Sequence, residues 1–333
     1  MRATYLNFGV RRGPTSRQPR MLTIDLETPA SARWASLESL RTGARALLDV
    51  YERDLGSIGE RVRADLVDVA RSVLSAESMM EFEGVARAID TPLSRVVLGN
   101  LYYDVIKSGV ACSAFAVDTA EGPLHGRNLD WWTTGNLLRD ETLVVDCQRR
   151  GQTRYRLVGW PGFIGAFSGI APGRFAITLN AVLSDDAPVI AEPVVFLIRR
   201  VLDEASTFAE ALDALRDAPI ASDGLLLLTG IEPGEMAVVE RTPTRSAVRG
   251  PSRGFVEVTN DYRRIDVTAT IHGDLGASSC RRSQRLDTLL ASEPPSSADD
   301  AFRLLSDARV KMGITVQQMV LHARSGKCDV RLP

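Results

Sequence analysis

The hydrophobic pattern of this 333-residue chain changes from helical to strand-like near residue 109. Between residues 30 and 109, apolar side chains recur every three or four positions, which is typical of amphipathic helices. The first stripe is formed by Trp34, Leu37, Leu40, Ala44, Leu47, Tyr51 and Leu55. A further helix is predicted to begin around Pro92 and to end at Gly109, because proline is accepted in a first helical turn and glycine ends helices.

After Gly109 the chain is predicted to form short strands separated by turns and a few helices. The predicted strands cover residues 112–118, 123–127, 142–148, 154–159, 174–180, 224–229, 235–240 and 255–260, with a hairpin around Ser325–Gly326. Helices are predicted at residues 193–205, after a capping box at Thr207 and Glu210, and at residues 297–309. This order favours antiparallel sheets with helices layered outside them, an α+β fold.

Composition excludes several function classes. The net charge of −2 argues against a dedicated nucleic-acid-binding protein, which needs clustered basic residues to neutralise phosphates. No apolar run is long enough for a signal peptide or a membrane-spanning helix, so a cytoplasmic location is expected. The four cysteines are widely spaced and predict neither a zinc site nor a disulfide framework. We expect no metal and no cofactor.

The usual catalytic motifs of hydrolases are missing. The chain has three histidines, and it lacks the G-x-S-x-G, H-E-x-x-H, Walker A and G-x-G-x-x-G patterns. The densest group of reactive residues is instead Cys112 followed by His-Gly-Arg-Asn-Leu-Asp at 125–130. Taken alone, Cys112 is more typical of an inert packing cysteine. However, a β-hairpin would bring Arg127 and Asp130 back beside it.

These residues resemble the signature of acid ceramidases and N-acylethanolamine acid amidases, in the choloylglycine-hydrolase group of N-terminal-nucleophile (Ntn) hydrolases. The resemblance covers nearly the whole chain and includes further segments in the same order. These are Met21–Leu26, Gly162–Gly165, Thr178–Asn180, Phe196–Leu215, Val258–Asn260 and Arg281–Ser283. It implies an αββα sandwich of two packed antiparallel sheets between helix layers, preceded by a helical segment.

The resemblance also implies self-cleavage before Cys112. The thiol would attack the Ala111 carbonyl, giving a helical fragment 1–111 and a catalytic fragment 112–333 that stay associated. The freed α-amine, with an ordinary pKa of about 7.7–8.0, would then serve as the general base. Arg127 would favour the thiolate form of the cysteine. Asp130 would orient the amine or the thiol, although a plain ion pair with Arg127 is the alternative.

The remaining site residues are also implied by the resemblance. Asn180 and Asn260 end predicted strands, where amide donors can stabilise an oxyanion, or where an asparagine can simply cap a turn. Arg281 is a candidate second cation, although the choice between Arg281 and Arg282 stays open. Trp131 and Trp132 would point to opposite faces of a strand, so one is expected in the core and the other against an acyl pocket.

Three functions remain open at this stage. The first is hydrolysis of an N-acyl amine or lipid-like amide through a Cys112 thioester. The second is acyl transfer to another amine, as in isopenicillin N acyltransferases, and the third is a non-catalytic, uncleaved acyl-lipid-binding protein. The mammalian lipid amidases usually carry a glutamate near the mid-chain asparagine, where this chain has Asn180-Ala181-Val182. A bacterial relative with a different substrate is therefore expected, and a higher oligomer is compatible with the sequence.

Overall fold

The computed structural model describes residues 18–106, 110–132, 134–187, 189–267 and 274–333. The predicted helix end at Gly109 lies outside these residues. Within them, none of the helices combines the length and the apolar character needed to cross a bilayer.

The N-terminal part is helical, as predicted, but it begins with a strand. Strand β1 (Arg20–Asp25) and a short 3₁₀ helix (Ala35–Leu40) precede the helices. The helices are α1 (Arg41–Val73), α2 (Ala76–Ala88), α3 (Leu93–Asn100) and α4 (Tyr102–Ile106). Helix α1 is interrupted at Gly56, whose φ of 51° favours glycine. Pro92 is the N-cap of α3 and begins it, close to the predicted position.

Each predicted strand overlaps an observed one. The strands after β1 are β2 (Val110–Thr119), β3 (Gly122–Trp131), β4 (Leu143–Arg149), β5 (Gln152–Gly159), β6 (Ser168–Ala171), β7 (Phe175–Asn180), β8 (Gly224–Thr229), β9 (Met236–Arg241), β10 (Ser246–Arg249), β11 (Phe255–Val258), β12 (Thr315–His322) and β13 (Lys327–Arg331). Strands β1, β6 and β10 were not predicted. The helices between them are α6 (Val194–Glu204), α7 (Phe208–Asp217), α8 (Asp274–Ser292) and α9 (Ala298–Leu305), after a single turn, α5 (Leu137–Asp140).

The described strands form two sheets that pack face to face. The larger sheet has the order β1-β4-β5-β6-β7-β8-β9-β10, and the smaller has the order β11-β2-β3-β12-β13. Strand β2 packs on β7 and β8 of the other sheet. Helices α6 and α7 cover the outer face of the larger sheet, and α8 and α9 cover that of the smaller. This is the predicted αββα sandwich. One detail differs, since β1 pairs with β4 in parallel rather than antiparallel.

The alternation of side chains along β2 positions the reactive cysteine. Successive residues of a strand point to opposite faces. Ala114 and Ala116 pack between the sheets against residues of β8 and β9, and Cys112 has the same parity. Phe115 and Val117 pack outward against α8 and α9. The Cys112 side chain therefore points into the space between the two sheets.

A buried ion cluster joins the N-terminal part to the sandwich. The Glu81 carboxylate of α2 accepts hydrogen bonds from Arg33, from the Trp34 indole at 2.9 Å and from Arg199 of α6 at 2.8 Å. Its side chain is 1% exposed. Burial raises the pKa of Glu81, but the charge and hydrogen bonds of Arg199 outweigh this and lower it below the usual value. The carboxylate therefore stays ionised and holds two cations from different parts of the chain.

Replacing Glu81 should destabilise the protein strongly. Glu81→Gln leaves the buried Arg199 guanidinium without a counter-charge and Arg33 with only the exposed Glu77, so we expect the free energy of unfolding to fall by about 3–5 kcal/mol. The measurement is urea denaturation in a Cys112→Ala background, in which the predicted self-cleavage would not occur. Glu77→Gln is the control because Glu77 also pairs with Arg33 but is 60% exposed, and its loss should cost less than about 1 kcal/mol. Equal effects of the two changes would contradict this account.

Candidate active site

Cys112 lies near the start of β2 and is fully buried. Its Sγ is 3.3 Å from Nη2 of Arg127 and 3.8 Å from the Leu179 carbonyl oxygen. Its backbone N–H donates to Oδ1 of Asn260 at 3.1 Å, and its carbonyl accepts from Nη1 of Arg282 at 2.5 Å. Arg127 therefore contacts the thiol of this residue, Asn260 its backbone N–H and Arg282 its carbonyl group.

Arg127 is a buried cation that is aimed at the thiol. It pairs with Ala114 in the β2–β3 register, two residues from Cys112 and on the same face. Its guanidinium also donates to the Leu179 and Phe167 carbonyls and to the Ser168 hydroxyl. Among the described residues it forms no ion pair with a carboxylate. The guanidinium is therefore buried beside the sulfur with only uncharged acceptors around it.

Asp130 lies on the other face of the hairpin from Cys112. It pairs with Ala111, so its side chain points away from the space between the sheets. Oδ1 accepts a hydrogen bond from the Thr315 hydroxyl at 2.5 Å, whereas Oδ2 is buried without a partner among the described residues. The alternative of a plain Arg127–Asp130 ion pair is thus not the arrangement observed. Asp130 instead lies opposite Ala111, the residue before the predicted cleavage point.

The two asparagines have different surroundings. The Asn260 Nδ2 group donates to the Ala181 carbonyl at 2.7 Å, which uses one of its two protons. The Asn180 Nδ2 group donates to the carbonyls of Val258 and Thr259 at 3.1 and 2.9 Å, which uses both. Asn260 thus contacts Cys112 directly and retains a donor. Asn180 ties β7 to the end of β11 and has no free amide proton in this conformation.

The second cation of the site is Arg282 and not Arg281. Arg282 is buried and donates to the Cys112 carbonyl, to the Ser113 hydroxyl at 2.8 Å and to Oδ1 of Asn260 at 2.8 Å. Arg281 is the preceding residue on α8 and lies on the exposed side of this helix. Because consecutive helical residues are turned by about 100°, one position decides which arginine faces inward. The Arg281 prediction is corrected to Arg282.

The two tryptophans take opposite environments, as expected from their adjacency. Trp131 is buried and stacks on Tyr102 at 5.9 Å between ring centroids, and it also meets Phe167 and Trp160 edge to face. Trp132 is 60% exposed. Trp131 shares one apolar cluster with Cys112, so it is the better candidate for contact with an acyl group.

Several residues of the site carry no sequence signal. Thr315 enters on β12, and Ser168 on β6, a four-residue strand that the sequence did not predict. Ser279 supports Asn260 by accepting its backbone N–H bond at 2.9 Å. His125, by contrast, lies between the sheets on Thr178 and Thr229. Burial lowers the pKa of His125 to about 3, so it stays neutral, in keeping with a structural role.

Comparison with known proteins places this site in a family. The family described as "Acyl-coenzyme A:6-aminopenicillanic acid acyl-transferase" matches residues 117–315, which is more than half of the chain. The chain belongs to this family. The matched region contains Arg127, Asp130, Asn180, Asn260 and Arg282, and it begins just after Cys112.

Individual relatives point to the Ntn branch that the sequence indicated. The N-acylethanolamine-hydrolyzing acid amidase of Caenorhabditis elegans is 28% identical over 244 residues, which is 68% of either chain. An acid ceramidase of Balaenoptera acutorostrata scammoni is 26% identical over 266 residues, or 70% of this chain and 66% of that one. The matches thus span about two thirds of the length of these relatives.

A solved structure supports the fold. The Caenorhabditis elegans N-acylethanolamine-hydrolyzing acid amidase ortholog aligns with a TM-score of 0.53 and 24% sequence identity, covering 64% of this chain and 93% of that one. The predicted Ntn-type α+β fold is therefore confirmed. The predicted enzyme class, hydrolases acting on amide C–N bonds, is confirmed by the amidase and ceramidase relatives. The individual roles of the site residues remain predictions.

Asp130 should make the uncleaved protein less stable at neutral pH. Burial raises the pKa of Asp130 to about 6, against the opposing Thr315 hydrogen bond and the charges of Arg282, Arg127 and Lys311. The stability gained from the neutral carboxyl is complete below the unfolded-state pKa near 4 and is lost as the pH rises through 6. In a Cys112→Ala background, Asp130→Asn should therefore raise the free energy of unfolding at pH 7.5 by about 2–3 kcal/mol.

The pH dependence is the discriminating measurement. Urea unfolding of both proteins between pH 4.5 and 7.5 should show the stability difference shrinking as the pH falls. A difference that is constant across this range would mean that Asp130 titrates normally. A loss of stability in Asp130→Asn at pH 7.5 would mean that the ionised carboxylate is well solvated in the fold.

Proposed function

We propose that this protein is a self-processing cysteine amidase that hydrolyses an N-acyl amine through a thioester on Cys112. The observation that carries the proposal is the Arg127 guanidinium, which is buried, 3.3 Å from Sγ, and without a carboxylate partner in the described part of the chain. Burying an unpaired cation is costly. A thiolate at Cys112 is the anion that would compensate it.

In the first step the chain would cut itself. The Cys112 sulfur attacks the Ala111 carbonyl carbon, the Ala111–Cys112 C–N bond breaks, and a thioester joins Ala111 to Sγ. The departing nitrogen takes up a proton and becomes the α-amine of Cys112. Water then hydrolyses the thioester, which leaves a carboxylate on Ala111 and restores the thiol. The Asn260 oxygen already accepts from the Cys112 nitrogen, so it would keep the new amine in place.

Cleavage would also give Asp130 a partner. Its buried Oδ2 lacks a hydrogen bond among the described residues, and its strand position is opposite Ala111. A protonated α-amine at Cys112 would supply both a positive charge and N–H donors close to this carboxyl group. The destabilisation attributed to Asp130 would therefore be relieved in the cleaved enzyme.

In turnover the amine would act as the base that the scarce histidines do not provide. It would take the thiol proton as Sγ attacks the substrate carbonyl, and then give a proton to the leaving amine. The remaining Nδ2 proton of Asn260 is a suitable donor to the oxyanion of the tetrahedral intermediate. Arg282, held on the Cys112 carbonyl, would fix the backbone on which this geometry depends.

The acyl half of the substrate would be apolar. Aromatic rings of α4, β3 and the segment after β5 form a cluster in the same core region as Cys112, comprising Tyr102, Trp131, Trp160, Phe163 and Phe167. Aromatic surface of this kind suits a hydrocarbon chain. The relatives named as an N-acylethanolamine-hydrolyzing amidase and an acid ceramidase support an N-acyl amine of this type.

Acyl transfer is the second candidate, because the matching family is described as an acyl-transferase. The same thioester would then be attacked by an amine in place of water. Turnover of one amide with increasing concentrations of a second amine distinguishes the two: a transferase forms the new amide in proportion to the acceptor, whereas a hydrolase releases mainly free acid.

Self-cleavage predicts two defined fragments. Intact-mass spectrometry of the incubated protein should show pieces of 111 and 222 residues, and Cys112→Ala should stay at 333 residues. Arg127→Met should cleave at least about tenfold more slowly because the thiolate loses its adjacent cation. Unchanged cleavage in Cys112→Ala would rule out Cys112 as the nucleophile.

Thiol labelling should change on cleavage. In the uncleaved chain Cys112 and Cys147 are buried, whereas Cys280 is exposed, so iodoacetamide should label Cys280 first. After cleavage, label should also enter Cys112 and abolish hydrolysis of a fluorogenic acyl amide. Cys280→Ser is the control, and it should remain active and still lose activity on labelling. Inactivation that requires Cys280 would contradict the mechanism.

A further inference from the structure

A positively charged cavity of about 630 Å³ lies on the outer side of the smaller sheet. Its walls are α8 and the segment after α9, residues 308–312. The cationic side chains that line it are Arg281, Arg282, Arg285, Arg309 and Lys311. No aspartate or glutamate is among its lining residues in the described part of the chain.

Most of this charge is not neutralised within the protein. Arg285 pairs with Asp307 at 2.5 Å. In contrast, Arg281, Arg309 and Lys311 form no ion pair within 4.0 Å with any described residue, and all three are exposed. Three uncompensated cations around one concave surface produce a positive potential that would attract an anion.

The cavity is connected to the nucleophile through Arg282. Nε of this residue donates to the Ser278 hydroxyl on the cavity wall at 3.3 Å, while Nη1 and Nη2 bind the Cys112 carbonyl and Asn260. A second connection runs through Met312, which also lines the cavity. Its N–H donates to the Thr315 hydroxyl at 3.0 Å, and Thr315 holds Asp130. Only the Arg282 guanidinium group would then separate a ligand in the cavity from the Cys112 backbone.

The basic cavity and the aromatic cluster lie on opposite sides of β2. Cys112 points between the sheets, toward the cluster that contains Trp131. Ser113 points outward to Arg282 and α8. An amide bound at the sulfur must extend in two directions from its carbonyl. Because the proposed cleavage would make Cys112 the first residue of its strand, an amine half directed away from the aromatic side would pass around the end of β2 toward Arg282 and the arginines beyond it.

We propose that this cavity binds an anionic group on the amine half of the substrate, and that a phosphate monoester fits it best. This inference rests on the proposed amidase function. Guanidinium groups bind phosphate oxygens through paired, charge-assisted hydrogen bonds. A dianion matches the three unpaired cations better than a single carboxylate does, and a neutral hydroxyl group leaves them uncompensated.

Binding can be tested without turnover. Cys112→Ala protein is titrated calorimetrically with phosphoethanolamine, glycine and ethanolamine, which carry a phosphate, a carboxylate and a hydroxyl group on the amine. We expect phosphoethanolamine to bind most tightly. Arg309→Gln and Lys311→Gln should each weaken its binding by about tenfold, because each removes a charge-assisted hydrogen bond. Arg53→Gln is the matched control, since Arg53 is exposed on α1 and forms no ion pair with the described residues.

Either of two results would overturn the proposal. One is that ethanolamine or glycine binds as tightly as phosphoethanolamine. The other is that the Arg309 and Lys311 variants bind phosphoethanolamine as the control does.

Kinetics then separates this inference from the function on which it rests. The processed enzyme is given an N-acylethanolamine, its O-phosphorylated form and an N-acylglycine with one common acyl chain. We expect the highest kcat/KM for the phosphorylated amide, with the Lys311→Gln defect confined to anionic substrates and expressed in KM. Equal kcat/KM for the three amides would refute the anion site and leave the amidase intact. Hydrolysis of none of them, in a chain that binds phosphoethanolamine, would instead refute the function proposed for the site.

Discussion

The arrangement of the site depends on burying the Arg127 guanidinium between two sheets. Its donors are spread over the carbonyls of Phe167 and Leu179, the Ser168 hydroxyl and the Cys112 sulfur. These acceptors are uncharged, so they do not compensate the positive charge of Arg127. Strands β2, β3, β6 and β7 must all be in place before this cation can be desolvated, so folding and the assembly of the nucleophile's environment are one event.

Three residues of the site have buried polar atoms without a hydrogen-bond partner. Among the described residues, Arg127 Nε, Asp130 Oδ2 and Asn180 Oδ1 are buried without a hydrogen bond. Buried polar groups are nearly always satisfied in folded proteins, and exceptions are often found at sites that do chemistry. By contrast, the Glu81 cluster uses both carboxylate oxygens on donors. The Glu81 carboxylate is therefore fully hydrogen-bonded, whereas the Asp130 carboxyl group is not.

Local signals allowed much of this structure to be predicted. The alternation in β2 and the capping box at Thr207, whose hydroxyl accepts from the Glu210 N–H at 3.1 Å, depend on neighbours in sequence. Helix α8 was not predicted, because its segment is rich in serine and arginine and contributes few core residues, such as Leu286 and Leu290. Arg281 was chosen over Arg282 because helix phase could not be read in a segment without a clear apolar stripe.

Prediction of the site from the sequence was limited for a different reason. The predicted β-hairpin placed Asp130 beside Cys112, but the register that pairs it with Ala111 puts it on the opposite face. Thr315 arrives from a strand 185 residues later, and no local pattern marks it. Contacts of this kind are set by the packing of distant strands, which a single sequence does not specify.

Strand β1, which belongs to the proposed fragment 1–111, covers one edge of the larger sheet. It hydrogen-bonds along the whole of β4, from Arg20 opposite Leu143 to Asp25 opposite Gln148. Without it, β4 would be a bare sheet edge whose open backbone groups invite pairing with other chains. A fragment released by the proposed cleavage would therefore behave like a donated strand in a pilus subunit. It would protect its partner from aggregation for as long as the two remained together, and the larger fragment would not be an independent protein.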